Sequence, residues 1–539
     1  MRAWGQHHSS PGRRQLPTRT TARVDGTNDF IGNEARSVGV SFAIVKYIVL
    51  LLASLMFDSH CGMLLADGLA SNSAEDIEGR IDRVVNGLVP DTAIENRYGP
   101  AATLRDRMAH YRTPGVSIAV INNYKIEWAR GFGVKEWGKR DRVTETTLFQ
   151  AGSISKPIFA LAVMRLVQEK RLNLDQDVNS YLTSWKVPAK GSWQPRITLR
   201  QLLSHSSGLT VHGFPGYLRT EKIPTIVDIL DGRAPANTSA VEVNILPGTQ
   251  LRYSGGGITV AQQLVVDVLG QPFQTIMREM VLEPLDMAHS TYEQPLPKHW
   301  ESSAATAHPW KNQAVKGKWH VYPEMAAAGL WTTPSDLARA GIELRLALKG
   351  ESNRVLSAQT AAQMLTPGIN ETIGIGFFLS GKGANIRFGH SGVDEGFVAE
   401  MTVYKEKGMG AVIMLNSNEG GAMCLEIERA IAREYQWPGY FPEEKKAVKL
   451  AAEVLGGLAD LAGEYLSKSG LKFIVENSNG TLLLTLAGQD PLQLQAESAT
   501  NFFTTILNAE ITFEKTEKGE VKGLVLTQQG KRISAKRTR

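Results

Sequence analysis

The 539-residue chain has little cysteine: Cys61 and Cys424 are its only two. That excludes a disulfide framework, so stability has to come from a buried core. Metal-ligand spacing is missing as well. His7 and His8 stand together near the N-terminus, and no ligand motif joins His205 to His212, so no zinc site is expected. Gly255-Gly256-Gly257 lacks the pattern of a phosphate-binding loop. Charge of one sign is lacking too. Lys and Arg total 59 against 54 Asp and Glu, a net +5. Residues 1–66 hold seven basic and four acidic residues, which leaves 52 − 50 = +2 for the rest. The body therefore has no electrostatic case for nucleic acid. The basic spot Lys531, Arg532, Lys536, Arg537 and Arg539 reads as a solvated tail. No internal repeat is present.

The chain does carry core material: it is 42% hydrophobic and 21% charged, an ordinary globular profile. Residues 1–66 read as a leader. The apolar run Tyr47–Phe57 follows Lys46 and spans roughly 16 Å as a helix, about half a bilayer core. That suits the apolar region of a signal peptide, with cleavage near Ala66 and export to the periplasm or cell envelope. The alternative is a membrane anchor that stays attached. Translation starting near Val38, Val40 or Val45 would explain the polar stretch upstream.

Apolar periodicity predicts helices from Asp76 to Tyr111 and a β-hairpin from Val116–Ile121 and Lys125–Ala129 around Asn122-Asn123. A long apolar helix is expected from Ser153 to Lys170, then a mostly helical middle. Strand patterns return at Gly374–Leu379, Asn385–His390, Phe397–Tyr404 and Gly410–Asn416, before a helix at Gly421–Glu434. Strands thus bracket a helical insertion. The expectation is an α+β domain over residues 77–437, one antiparallel sheet built from both ends of the segment and flanked by helices. Residues 438–462 read as a linker and short helix, the helix at Ala447–Ala462. Residues 463–539 read as a small β-barrel with strands beginning at Lys472.

Three short elements carry chemistry. Phe149-Gln150-Ala151-Gly152-Ser153-Ile154-Ser155-Lys156 contains Ser-x-x-Lys where a loop enters an apolar helix. Positions i and i+3 share a helix face, so the Lys156 amine can reach the Ser153 hydroxyl. Burial and the positive end of a helix disfavour an ammonium, which makes Lys156 a candidate base and Ser153 a candidate nucleophile. Ser469-Gly470-Leu471-Lys472 matches the same spacing without chemical company. Second, Arg252-Tyr253-Ser254-Gly255 places a tyrosine beside flexible residues, where a phenol can shuttle protons. Third, Phe388-Gly389-His390-Ser391-Gly392-Val393 ends a strand. There the Val393 and Ser153 backbone N–H groups are the candidate oxyanion donors.

In order and spacing, these elements resemble the serine β-lactamase and penicillin-binding protein superfamily. The likeness is closest to its class C β-lactamase-related branch of peptidases and esterases. Leu202–Leu209, Glu283–Met287 with Ser290-Thr291, and Ala328–Thr333 with Asp336-Leu337-Ala338 are similar as well. The resemblance implies a β-lactamase/transpeptidase-like fold and a lipocalin-like C-terminal barrel. It implies an acyl-enzyme on Ser153 with Lys156, Tyr253 and His390 in catalysis, and no metal or organic cofactor. Gly255, Ser391 and Gly392 become the substrate-binding positions. The substrate would be a small molecule or peptide, including peptidoglycan-derived ones. Two departures matter. Gly255 stands where class C enzymes have Asn, and His390 stands where most β-lactamases have Lys. Both remove groups that hold a β-lactam, so an amide or ester hydrolase is expected, with slight β-lactamase activity. The rival reading is a penicillin-binding receptor whose acyl adduct persists.

Overall fold

The computed structural model describes residues 76–88, 102–441, 457–486, 491–504, 509–528 and 531–538. The leader, its run at 47–57 and most of the expected linker helix lie outside them. Among the described residues, no helix is long and apolar enough to cross a membrane.

The first sheet has six antiparallel strands: β1 Gly115–Asn122, β2 Lys125–Gly133, β3 Phe378–Ser380, β4 Arg387–Asp394, β5 Phe397–Tyr404 and β6 Gly410–Leu415. Their order is β2-β1-β6-β5-β4-β3. The two ends of the segment meet where β1 pairs with β6, from Val116 opposite Leu415 to Ile121 opposite Gly410. The helical middle is thus inserted between the two halves of one sheet. The β1–β2 turn is carried by Asn123 and Tyr124, with φ of 49° and 61°. Positive φ at both central residues is what a two-residue hairpin turn demands.

β1 is buried on both faces, and its alternation divides two cores. Val116, Ile118 and Val120 pack with Ile81 and Val84 of α1 (residues 76–85) and with Ile427 and Ile431 of α5 (Gly421–Glu434). Ala119 and Ile121 face the larger core, which holds α2 (Ser155–Gln168), α3 (Gly255–Leu269) and α4 (Pro334–Lys349). Residues 155–164 of α2 are all buried, so this helix is an interior rod rather than an amphipathic surface helix.

The second body is a closed barrel of eight strands in sequence order, β7 to β14. These are Gly463–Ser467, Lys472–Ser478, Thr481–Leu486, Leu492–Ala496, Asn501–Thr504, Ala509–Lys515, Val521–Gln528 and Lys531–Arg537. Tyr465, Phe473, Leu484, Phe502, Ile511, Phe513 and Leu524 fill the interior. Eight strands leave room for little else.

Several expected bounds move. The strand expected at Gly374–Leu379 forms only at Phe378–Ser380, and the one expected at Asn385–His390 runs on to Asp394. The barrel also begins earlier than the first expected strand. Gly463–Ser467 pairs with β14 and closes the cylinder, and a short 3-10 turn, Gly457–Leu461, precedes it. Five residues with one inward aromatic give too little alternation to mark a strand.

Candidate active site

Ser153 sits in a single 3-10 turn, Gly152–Ile154, that runs directly into α2. The turn is pressed against β4. Gly152 has φ +51°, and a Cβ there would lie 2.5 Å from the Val393 nitrogen, so only glycine admits this approach. Ser155 fixes the turn from behind. Its hydroxyl donates to Gly152 O at 2.6 Å and accepts the Leu330 N–H at 3.0 Å. The Tyr292 hydroxyl donates to Ser155 O at 2.7 Å.

Lys156 is buried one turn along. Its Nζ lies 2.8 Å from Ser153 Oγ and donates to Ala327 O at 2.7 Å. Both contacts are donated by the Lys156 nitrogen, one to the serine oxygen and one to the carbonyl. The face predicted from the i, i+3 spacing is therefore formed. Lys156 Nζ also lies 5.0 Å from the centre of the Tyr253 ring.

Tyr253 precedes α3, whose N-cap is Ser254. Its ring stands among aromatic neighbours: His205 at 4.2 Å, His212 at 4.8 Å, His390 at 6.0 Å and Phe378 at 6.2 Å, centre to centre. His390 is buried, and its Nδ1 lies 2.5 Å from Ser391 O. A carbonyl only accepts, so Nδ1 carries the proton and Nε2 offers a lone pair, which has no protein partner. Burial, with the charge of Lys156 added, pushes the His390 imidazole down to about 3. It is neutral across the physiological range.

The sheet edge completes the site. β3 pairs only with Arg387–Gly389 of β4, whereas β5 pairs with all of Arg387–Asp394. From His390 to Asp394 the other edge of β4 carries no strand and faces the Ser153 turn. A Cβ on Gly392 would lie 1.9 Å from Ala151 O and 3.1 Å from Ser153 N. The Val393 and Ser153 amides are thereby held next to one another, as two oxyanion donors require.

The family profile "Beta-lactamase" matches residues 101–434, more than half of the chain. The chain belongs to the beta-lactamase family. Its curated relatives include Protein flp of Staphylococcus aureus, 26% identical over 318 residues, or 57% of this chain and 60% of that one. A beta-lactamase of Pseudomonas fluorescens is 28% identical over 189 residues, 35% of this chain and 49% of that one. The chain thus spans no more than about 60% of the length of these relatives. Among solved structures, the octameric penicillin-binding protein homologue of Pyrococcus abyssi shares the fold. Its TM-score is 0.54 at 21% identity, covering 80% of this chain and 98% of that one.

Within this family member the structure gathers Ser153, Lys156, Tyr253, His390, Gly392 and Val393. Ser391 is exposed and lends its carbonyl to His390. Gly255 is placed differently. It is the buried first residue of α3, its N–H donates to His212 O at 3.1 Å, and a Cβ would meet Phe214 at 3.0 Å. It packs on the His212–Phe214 segment. The second Ser-x-x-Lys is a barrel turn, where Ser469 bonds Ser467 and Lys472 pairs with Glu464 at 2.9 Å.

Sequence reasoning missed three groups. Asp394 is fully buried and takes a hydrogen bond from the Gly152 backbone; burial drives its carboxyl well above the usual range. Glu324 precedes the short helix that carries Ala327; neither carboxylate oxygen has a partner, and burial pushes it up to about 8. His205 stacks on Tyr253 from inside Leu202–Leu209, a stretch the resemblance marked without giving it a role. No spacing rule ties any of the three to Ser153.

Proposed function

We propose that this beta-lactamase-family serine hydrolase cleaves esters or amides whose acyl group lacks a carboxylate near the scissile bond, D-aminoacyl peptides among them. The reading rests on the 2.8 Å contact between Ser153 Oγ and the buried Lys156 Nζ. Lys156 takes the hydroxyl proton as Ser153 Oγ bonds to the substrate carbonyl carbon. The Ser153 and Val393 amides hold the oxyanion. Tyr253 gives its phenol proton to the departing amine or alcohol as the scissile bond breaks and takes the proton held on Lys156 in its place, leaving an acyl-Ser153 ester. Water, deprotonated through the same pair, then releases the acid and restores the serine.

His390 supports the substrate class. A neutral imidazole presenting Nε2 as an acceptor offers a substrate carboxylate no cation. This disfavours penicillins and favours groups that donate, such as an amide N–H. Gly255 adds no amide donor. Export through the Tyr47–Phe57 segment is part of the same proposal, and so is a hydrolase domain at 77–437 with a separate barrel after 463. An N-terminal sequence of the mature protein beginning after residue 60 supports export.

The test mixes the purified protein with p-nitrophenyl butyrate, D-alanine p-nitroanilide or benzylpenicillin, beside Ser153→Ala. Turnover of the ester or anilide by the wild type alone, with penicillin barely consumed, is the expected result. A lasting one-to-one penicillin adduct on Ser153, read by intact mass, would replace the hydrolase by a receptor.

A further inference from the structure

His205 holds Tyr253 from three directions. Its carbonyl accepts the Arg252 N–H at 2.7 Å. Its Nδ1 accepts the Ser254 N–H at 3.2 Å. Its ring lies on the Tyr253 ring at 4.2 Å, tilted by 34°. The residues before and after Tyr253 are thus both tied to one side chain or its own backbone. The arrangement depends on backbone geometry, because His205 has φ +53° and is buried. His205 follows the Leu199–Leu203 helix as its left-handed end residue, with its N–H on Leu202 O and the Ser206 N–H on Gln201 O, and from there its carbonyl and its ring both meet the 252–254 segment.

We propose that His205 is the positioning residue of this hydrolase, a clamp that fixes the Tyr253 phenol beside Lys156. The proposal rests on the acyl-hydrolase reading above, since it gives Tyr253 a task for which its placement matters. Two further observations support it. The Ser254 N–H can be accepted only by an unprotonated Nδ1, and His205 stays unprotonated. Burial holds it well below the ordinary imidazole range, and the neighbouring Lys156 adds to that. The α3 N-cap cannot set the ring by itself. The Ser254 hydroxyl reaches forward to Gly257 N and sideways to Thr210 O, and neither bond involves Tyr253.

The chemistry indicates which variants discriminate. Asparagine places Oδ1 near the position of a histidine Nδ1 and tolerates positive φ, so His205→Asn keeps the clamp's acceptor and loses only the stacked ring. Alanine keeps neither. For each variant, ester turnover is measured together with the ζ-13C resonance of Tyr253 in tyrosine-labelled protein, assigned by its loss in Tyr253→Phe. In His205→Ala the expected kcat falls 10- to 100-fold with KM within threefold, and the Tyr253 resonance shifts or broadens. His205→Asn restores most of kcat and a sharp resonance. Unchanged kcat and an unchanged Tyr253 resonance in a folded His205→Ala protein would overturn the clamp. So would equal loss in the Ala and Asn variants. Wild-type protein inert toward every ester and anilide, with the resonance still moved by His205→Ala, would overturn the hydrolase reading and leave the clamp standing.

Discussion

The beta-lactamase-family domain and the barrel follow the same rules with different strictness. In the barrel strand Ala509–Lys515, inward and outward residues alternate cleanly. Among the described residues, no buried side-chain polar atom of the barrel lacks a partner, whereas the beta-lactamase-family domain leaves both carboxyl oxygens of Glu324, one of Asp394 and the His390 Nε2 without one. Burying a polar group unpaired costs roughly 1–3 kcal/mol. Some of the unpaired groups are scattered through the domain, Asn312, Arg345 and Trp437 among them, but three stand close to the Ser153 turn. Asp394 touches the Gly152 backbone, His390 stands near Tyr253, and Glu324 opens the helix that carries the Lys156 acceptor.

If the contrast is real, damage in the two regions should differ in kind. Lys156→Met keeps the volume of the buried chain and removes the amine. Ester turnover should fall on the order of 10³-fold while the melting temperature changes little, because general-base loss is a kinetic defect. Assaying kcat beside a thermal melt checks this. A comparable loss of stability would make Lys156 a structural residue. Phe473→Ala should do the reverse. Phe473 is fully buried in the barrel interior, and its truncation should cost about 3–5 kcal/mol of barrel stability. Small-ester kcat should stay within twofold at temperatures below the barrel transition. Calorimetry showing one shared transition, shifted as a whole, would join the two regions into a single cooperative unit.

A third prediction probes the strained side by pH. Glu324 is neutral in the fold up to about 8, whereas an unfolded glutamate ionises near its ordinary value. Between roughly pH 4.5 and 8 the folded state therefore holds the extra proton, and Glu324 lowers stability as pH rises. His390 has the opposite sign. Its folded imidazole is pushed down to about 3, so the unfolded state takes the proton first and His390 costs stability as pH falls below about 6.5. Glu324→Gln should match the wild type in chemical melts near pH 4.5 and grow steadily more stable than it toward pH 8. A difference that stays flat with pH would mean that Glu324 is ionised and paired in solution.

Much of the frame was legible in the sequence. Val116–Ile121 is a short, almost continuously apolar run after Pro114-Gly115, Gly421–Glu434 shows helical period, and Phe397–Tyr404 has strand composition between turn residues; all three formed as expected. The Ser153–Lys156 contact was legible because it is local, three residues on one helix. Tyr253 and Val393 were candidates from residue type, and the resemblance joined them and His390 into one site, since a single chain does not say which loop tips converge. His205, Asp394 and Glu324 were invisible for a physical reason. Each acts through a backbone group or through its own burial, and neither leaves a pattern in residue type. Gly255, two residues past Tyr253, is already the buried first residue of α3 and packs on the His212–Phe214 segment, which its residue type could not show.

The smallest effect tests whether Tyr253 is set by the helix that follows it or by what packs on it. Ser254 caps α3, accepting the Gly257 N–H at 2.8 Å and donating to Thr210 O at 2.7 Å. Losing an N-cap side chain costs about 1 kcal/mol, since one orphan amide of the first turn goes unpaired. In Ser254→Ala the remaining supports of Tyr253 all survive, because they come from His205 and from the ring's aromatic neighbours. Stability should therefore drop by about 1 kcal/mol while kcat changes less than threefold. Measuring both on the same preparation decides the matter. A large kcat loss at unchanged stability would give the helix start, rather than the aromatic packing, control of the phenol.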